Sequence, residues 1–220
     1  MGLDGDVPGW SVILPVKPLD SAKSRISGDR TDTQRLAIAF LEDAIAALLG
    51  SKSIADIVVV TSDPHIAHLS EQAGCRVVDD REAPGINAAV HLAALSCPPD
   101  HPVMVVVSDL PTLDPGTVDR ITSLAGAHVR SFLPDADGRG TTIWCTTDPR
   151  SVQTAFGSDS AALHAASGAV DLAAAGGADL WRGRQDVDTR EDLQRASTLG
   201  LGAHTRAVLA QAVEPVATTE

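Results

Sequence analysis

The sequence predicts an α/β fold, a mixed but mostly parallel sheet with helices on both faces, and two observations carry that expectation. Residues 103–107 read Val-Met-Val-Val-Val, an unbroken apolar run of strand length. A strand with no polar face is one buried between two helical layers. Runs of this kind also alternate with helical patterns along the chain, and repeated βα units imply right-handed crossovers between parallel strands. A Rossmann-like, nucleotide-binding arrangement follows.

Taken in order, the strand-like runs are residues 11–16, 54–60, 75–78 and 103–107. Between the first two, Leu36, Phe40, Leu41, Ala44, Ile45 and Leu48 recur at helical spacing, with Thr31 or Asp32 as the expected cap. Asp63 and Pro64 start a second helix, and an alanine-rich one through Ala88, Ala89, Leu92 and Leu95 follows Ala83-Pro84-Gly85. Asp114-Pro115 opens a fourth. Residues 128–133 and 141–145 read as short strands flanking a Pro-Asp-Gly-rich turn, which suits antiparallel additions to the sheet. A last helix is expected over residues 189–199.

With 220 residues and 44% hydrophobic content, one domain is expected over residues 10–206, with residues 1–9 and 207–220 as flexible termini. Seventeen Lys and Arg against 29 Asp and Glu give a net charge of −12, which speaks against a nucleic-acid or anionic-membrane surface. Any polyanion must be met locally. Three cysteines without CxxC spacing fit neither a disulfide framework nor a zinc knuckle. No leader pattern and no apolar run of membrane-spanning length is evident, so a cytoplasmic protein is expected.

Chemistry is expected beyond the carboxyl ends of the strands, where open α/β sheets bind ligands. Asp109 emerges there from the run 103–107, and Pro111 turns the chain away. The first strand passes directly into a loop carrying Lys17, Lys23 and Arg25, three cations in nine residues, suited to phosphates. Neither GxGxxG nor a Walker A sequence is present, which argues against a dinucleotide-linked dehydrogenase and a P-loop NTPase. Asp186 and Asp188, two residues apart on an extended segment, are expected to point to one side and, with Asp109, to hold a divalent cation against phosphate oxygens. Gly138-Arg139-Gly140-Thr141-Thr142 and Phe156-Gly157-Ser158-Asp159-Ser160 are turn or phosphate-cradle candidates; Ser160 and His164 would share a helix face.

In chain order, LPVKPLDSAKSRIS, PGINAA, VVVSDLP, GRGTT, FGSDSAALH and DVDTREDL resemble one family: the guanylyltransferases that make the phospholactate or phosphoenolpyruvate precursor of the deazaflavin coenzyme F-420. The resemblance implies a nucleotidyltransferase fold like that of the molybdopterin guanylyltransferases. It implies transfer of GMP from GTP to the phosphate of a three-carbon acid, with Mg²⁺ as cofactor and the product handed to the next enzyme of the pathway. Among phosphoenolpyruvate, 2-phospho-L-lactate and 3-phosphoglycerate, phosphoenolpyruvate is the expected acceptor. On this resemblance Asp109 and Asp186 are the metal carboxylates, with Asp188 supporting or replacing the second. Lys17, Lys23 and Arg25 face the GTP phosphates, and Gly85 and Asn87 the guanine. Thr141, Gly157 and Ser160 hold the acceptor, with His164 a neighbour. The rivals are another nucleotidyltransferase, or a nucleotide-binding regulatory protein without turnover.

Overall fold

The computed structural model describes residues 9–21, 26, 29–176 and 179–213. Strands β1 (Trp10–Pro15), β2 (Ile54–Val60), β3 (Arg76–Val78) and β4 (Val103–Val106) alternate with helices α1 (Arg30–Gly50), α2 (Pro64–Gln72) and α3 (Ile86–Ala94). Helix α4 (Pro115–Ala125) leads to the hairpin β5 (Arg130–Pro134) and β6 (Thr141–Thr146). Then come α5 (Ser160–Ala166), β7 (Val170–Asp171), α6 (Leu172–Gly176), α7 (Arg190–Leu199) and α8 (Ala203–Val213). Among the described residues the strands form one seven-stranded sheet in the order β3-β2-β1-β4-β6-β5-β7.

The first four strands are parallel, with Ile13 paired to Val58 on one side and to Val105 on the other. Strand β6 runs antiparallel to both β4 and β5, as expected for a hairpin appended to a parallel half. The chain goes outward from β1 to β2 and β3, then returns to place β4 on the opposite flank of β1. The topological switch point therefore lies between the carboxyl ends of β1 and β4, where such sheets open a crevice.

The absence of alternation in β4 has its cause in the packing. Met104 and Val106 join Leu41, Ile45 and Leu48 of α1 and Val118 and Ile121 of α4 on one face. Val103 and Val105 join Ala89, Val90 and Ala93 of α3 and Trp144 of β6 on the other. All four residues of β4 have no exposed surface. Replacing one of these large side chains by alanine would cost about 2–5 kcal/mol through the cavity left behind.

Helix α1 is capped two or three residues earlier than expected: Asp29, not Thr31 or Asp32, is the cap, accepting from the Thr31 and Asp32 N–H groups. Asp63 and Asp114 cap α2 and α4 ahead of their first-turn prolines. The domain boundary expected at Arg206 falls inside α8, so residues 207–213 are helical and not a loose terminus. Helix α8 packs along α1. Its start is fixed from a distance, since the carboxylate of buried Asp43 in α1 accepts from the N–H groups of His204 and Thr205 at 2.9 Å each. No described helix is long and apolar enough to cross a membrane.

Candidate active site

A cavity of about 430 Å³ opens at the switch point, a volume suited to a small ligand. Lys17 enters its wall straight from β1. The loop behind it is held by Asp63, whose Oδ2 accepts from Leu19 N–H at 2.9 Å while its Oδ1 caps α2. Burial acts to raise the Asp63 pKa, but hydrogen bonds from the Leu19, Ile66 and His65 amides outweigh it and hold the carboxyl below its usual range. One carboxylate thus joins the loop after β1 to the helix after β2. Lys23 and Arg25 lie outside the described residues.

Asp109 reaches the cavity from β4, and Asp186 reaches it from a segment distant in sequence. The two chains are joined directly, because Val187 N–H donates to the Asp109 carbonyl at 3.0 Å. Beyond Asp109 the turn is locked by Gly202 N–H on the Pro111 carbonyl at 2.7 Å and by Arg182, which bonds the Thr112 carbonyl and pairs with Asp114. Asp188 does not line the cavity. The strand alternation expected to align it with Asp186 ends here, since the Asp188 and Thr189 amides both turn onto the Asp192 carboxylate in the capping box of α7. Among the described residues no three His, Cys, Asp or Glu side chains gather to hold a metal ion. Of the four aspartates lining the cavity, Asp80, Asp109, Asp135 and Asp186, the backbone bond from Val187 to Asp109 ties the segments of Asp109 and Asp186 together, and two carboxylates suit a magnesium ion ligated otherwise by water and phosphate.

Gly85 lines the cavity at the N-cap of α3 with φ +90°, a conformation that L side chains rarely adopt. Asn87, expected beside it, is occupied elsewhere. Its amide donates to the Phe156 carbonyl at 2.9 Å, and its oxygen accepts from Thr154 Oγ1 and Phe156 N–H at 2.8 Å. Asn87 therefore fastens the segment before Gly157, with its oxygen and one amide N–H bound to the chain itself.

Thr141, Gly157 and Ser160 all line the cavity, from β6 and from the segment leading into α5. The turn before Thr141 is organised by Asp135, whose carboxylate accepts from Arg139 N–H at 2.9 Å and Gly140 N–H at 2.7 Å. A Cβ on Gly140 would run into the Asp135 carboxylate, so a larger residue here would push that carboxylate off the two amides it holds. His164 does not line the cavity but touches what does: its Nδ1 meets Thr141 Oγ1 at 2.9 Å and its Nε2 accepts from Ala155 N–H at 2.9 Å. Burial presses its pKa down to about 4.

Asp80 was not expected in the site. It lines the cavity just after β3, with Oδ1 buried and without a hydrogen-bond partner. The rule that exposed Asp109, a carboxylate at the carboxyl end of a strand, applies equally to it.

A family described as "Guanylyl transferase CofC like" matches residues 10–218 of the chain. A phosphoenolpyruvate guanylyltransferase of Streptomyces avermitilis is 42% identical over 211 residues, covering 94% of this chain and 96% of that protein. The solved structure of a nucleotidyl transferase from Methanothermobacter superposes with a TM-score of 0.60 at 18% identity, over 92% of this chain and 99% of the other. A Mycobacterium tuberculosis H37Rv protein solved in complex with manganese reaches 0.52 at 19% identity, over 86% and 98%. The structural likenesses agree with the mixed, mostly parallel sheet.

Proposed function

The chain belongs to the CofC-like guanylyl transferase family, and from that premise we propose that it transfers the guanylyl group of GTP to the phosphate of phosphoenolpyruvate, releasing diphosphate. The observation that carries this reading is the convergence of Lys17, Asp109 and Asp186 with Thr141, Gly157 and Ser160 on one cavity at the switch point. Lys17 and the Asp109 and Asp186 carboxylates come from one side; the hydroxyls of Thr141 and Ser160, Gly157 and the Asp135 carboxylate come from the other, where Asp135 is already bound to the Arg139 and Gly140 amides.

The attacking group is already an anion, so no strong base is required. The barrier is the approach of one polyanion to the α-phosphorus of another, and charge compensation with alignment lowers it. Lys17 faces the GTP phosphates, with Lys23 and Arg25, which follow it in sequence, supplementing it. Asp109 and Asp186 would hold Mg²⁺, which when bound supplies Lewis-acid stabilisation of phosphate oxygens. The tie between Val187 N–H and the Asp109 carbonyl fixes the relation of the two carboxylates. Thr141, Ser160 and the backbone at Gly157 orient the acceptor.

Asp80 supplies a guanine reader. A buried carboxylate oxygen without a partner is costly, and the Watson–Crick edge of guanine offers two adjacent donors, N1–H and the 2-amino group, where adenine offers an acceptor at N1. Gly85 lets the base approach the backbone beside it. The reading places the enzyme in the cytoplasm, with its product passed to the next enzyme, and includes no nucleic-acid partner.

Diphosphate release tests the proposal: wild type with Mg²⁺, GTP and phosphoenolpyruvate should turn over, with 2-phospho-L-lactate and 3-phosphoglycerate poorer. Asp109→Asn, with its backbone hydrogen bond intact, should lose on the order of 10²-fold or more of the rate. Full activity in a folded Asp109→Asn protein, or no turnover by wild type with any of the three acceptors, would refute it.

A further inference from the structure

The chain contains three Phe, three Trp and no Tyr, and half of these rings surround one histidine. Phe132, Trp144 and Phe156 lie 5.9, 6.5 and 5.4 Å, centroid to centroid, from the ring of His164, which is 1% exposed. Both ring nitrogens are committed. The Ala155 N–H can only donate, so Nε2, 2.9 Å away, is an unprotonated acceptor. A neutral imidazole then carries its proton on Nδ1, and the bond of 2.9 Å to Thr141 must run from Nδ1–H to the threonine oxygen. Neutrality is what burial among aromatic rings enforces, consistent with a pKa near 4.

The polarity propagates one step further. With His164 donating to it, the Thr141 hydroxyl has its own proton left to give, and it lines the cavity. We infer that His164 is a positioning residue that fixes Thr141 as a donor into the cavity, so that this point of the wall selects an anionic oxygen of the acceptor. The inference rests on the proposed guanylyl transfer to a phospho-acid and extends it to a residue that does not touch the substrate. The same imidazole anchors Ala155, so the segment leading to Gly157 and the hydroxyl of Thr141 are set by one ring. A hydroxyl without a partner serves donor and acceptor alike; with one lone pair of Thr141 Oγ1 taken by His164, donation into the cavity is favoured.

The tautomer can be read on the unaltered protein from the nitrogen shifts and long-range proton couplings of ¹⁵N-labelled histidine. The Nδ1–H form is expected for His164 at pH 7, and the Nε2–H form would overturn the inference. In steady-state kinetics, Thr141→Val should raise the KM for phosphoenolpyruvate about tenfold or more, with the loss falling on that KM and the KM for GTP held within about twofold. Thr141→Ser should restore it. His164→Leu should mimic Thr141→Val, while His164→Asn, which keeps a donor near the Nδ1 position, should recover most of the affinity. The double variant Thr141→Val/His164→Leu should be no worse than Thr141→Val alone, as required of residues acting in series. Additive defects, or a His164→Leu defect that falls equally on GTP, would mean a merely structural histidine and overturn the inference.

Pyruvate, which offers only the carboxylate, and methyl phosphate, which offers only the phosphate, distinguish the two sources of the oxygen as competitive inhibitors. The one that weakens in Thr141→Val carries it, and weakening of neither counts against the assignment. Absence of wild-type turnover would sink the functional reading while leaving the tautomer measurement standing.

Discussion

Acid should unlock the acceptor wall before it unfolds the rest of the protein, and His164 sets the window. Its folded pKa of about 4 lies below the ordinary value of 6.5, so as pH falls the unfolded chain takes up the proton first. Between those values the unfolded state holds more protons, and stability therefore rises with pH: the contribution is complete above about pH 6.5 and is lost progressively down to about pH 4. At about 1.4 kcal/mol per pH unit, the difference caps the loss at about 3.5 kcal/mol, a sizeable share of the about 5–15 kcal/mol that holds a domain together. The structural cause is that protonation at Nε2 would set an N–H against the Ala155 N–H. Urea unfolding at several values between pH 4.5 and 7 measures it, comparing wild type with His164→Asn, which has nothing to titrate there. Carboxylates such as Asp63 contribute to both proteins and cancel in the difference. A gap between the two unfolding free energies that stays constant across the window would refute the reasoning.

Asp80→Asn should lower the preference for GTP over ATP, read as the ratio of kcat/KM values, by about tenfold or more, because an amide can satisfy either base edge; an unchanged ratio would remove Asp80 from base recognition. Asp43→Ala should cost about 2–3 kcal/mol in urea unfolding by leaving two amides of α8 uncapped, with faster hydrogen exchange at His204 and Thr205 than elsewhere. Equal protection at those amides in both proteins would show that α8 is held by its packing alone.

The parallel half was legible because its physics is local. A strand buried on both faces writes an unbroken apolar run, and a helix capped by Asp ahead of Pro writes its own start, so β2, β4, α2 and α4 could be read within a residue or so. Asp109 followed from the strand that ends beside it. Helix α8 went unread past Arg206 because its cap comes from Asp43, some 161 positions away. The same holds for Asn87, whose partners lie 67 and 69 positions on. A motif pointed to Asn87 without revealing that its oxygen and one amide N–H are spent on the chain itself. Asp188 departs from the expected alternation for another reason: alternation is a property of strands, and at Asp188 the chain has already turned toward the N-cap of α7, with its amide on the Asp192 carboxylate.

Residues 152–156 have no sheet or helix hydrogen bonds of their own, and three of them hang from Asn87 and His164. This stretch and the β5–β6 turn face the parallel scaffold like a jaw hinged on side chains. Such a jaw can be re-cut by a few substitutions while the parallel half stays untouched. Relatives that accept different phospho-acids should therefore diverge chiefly around residues 135–141 and 154–164 and keep the ends of β1 and β4 in common.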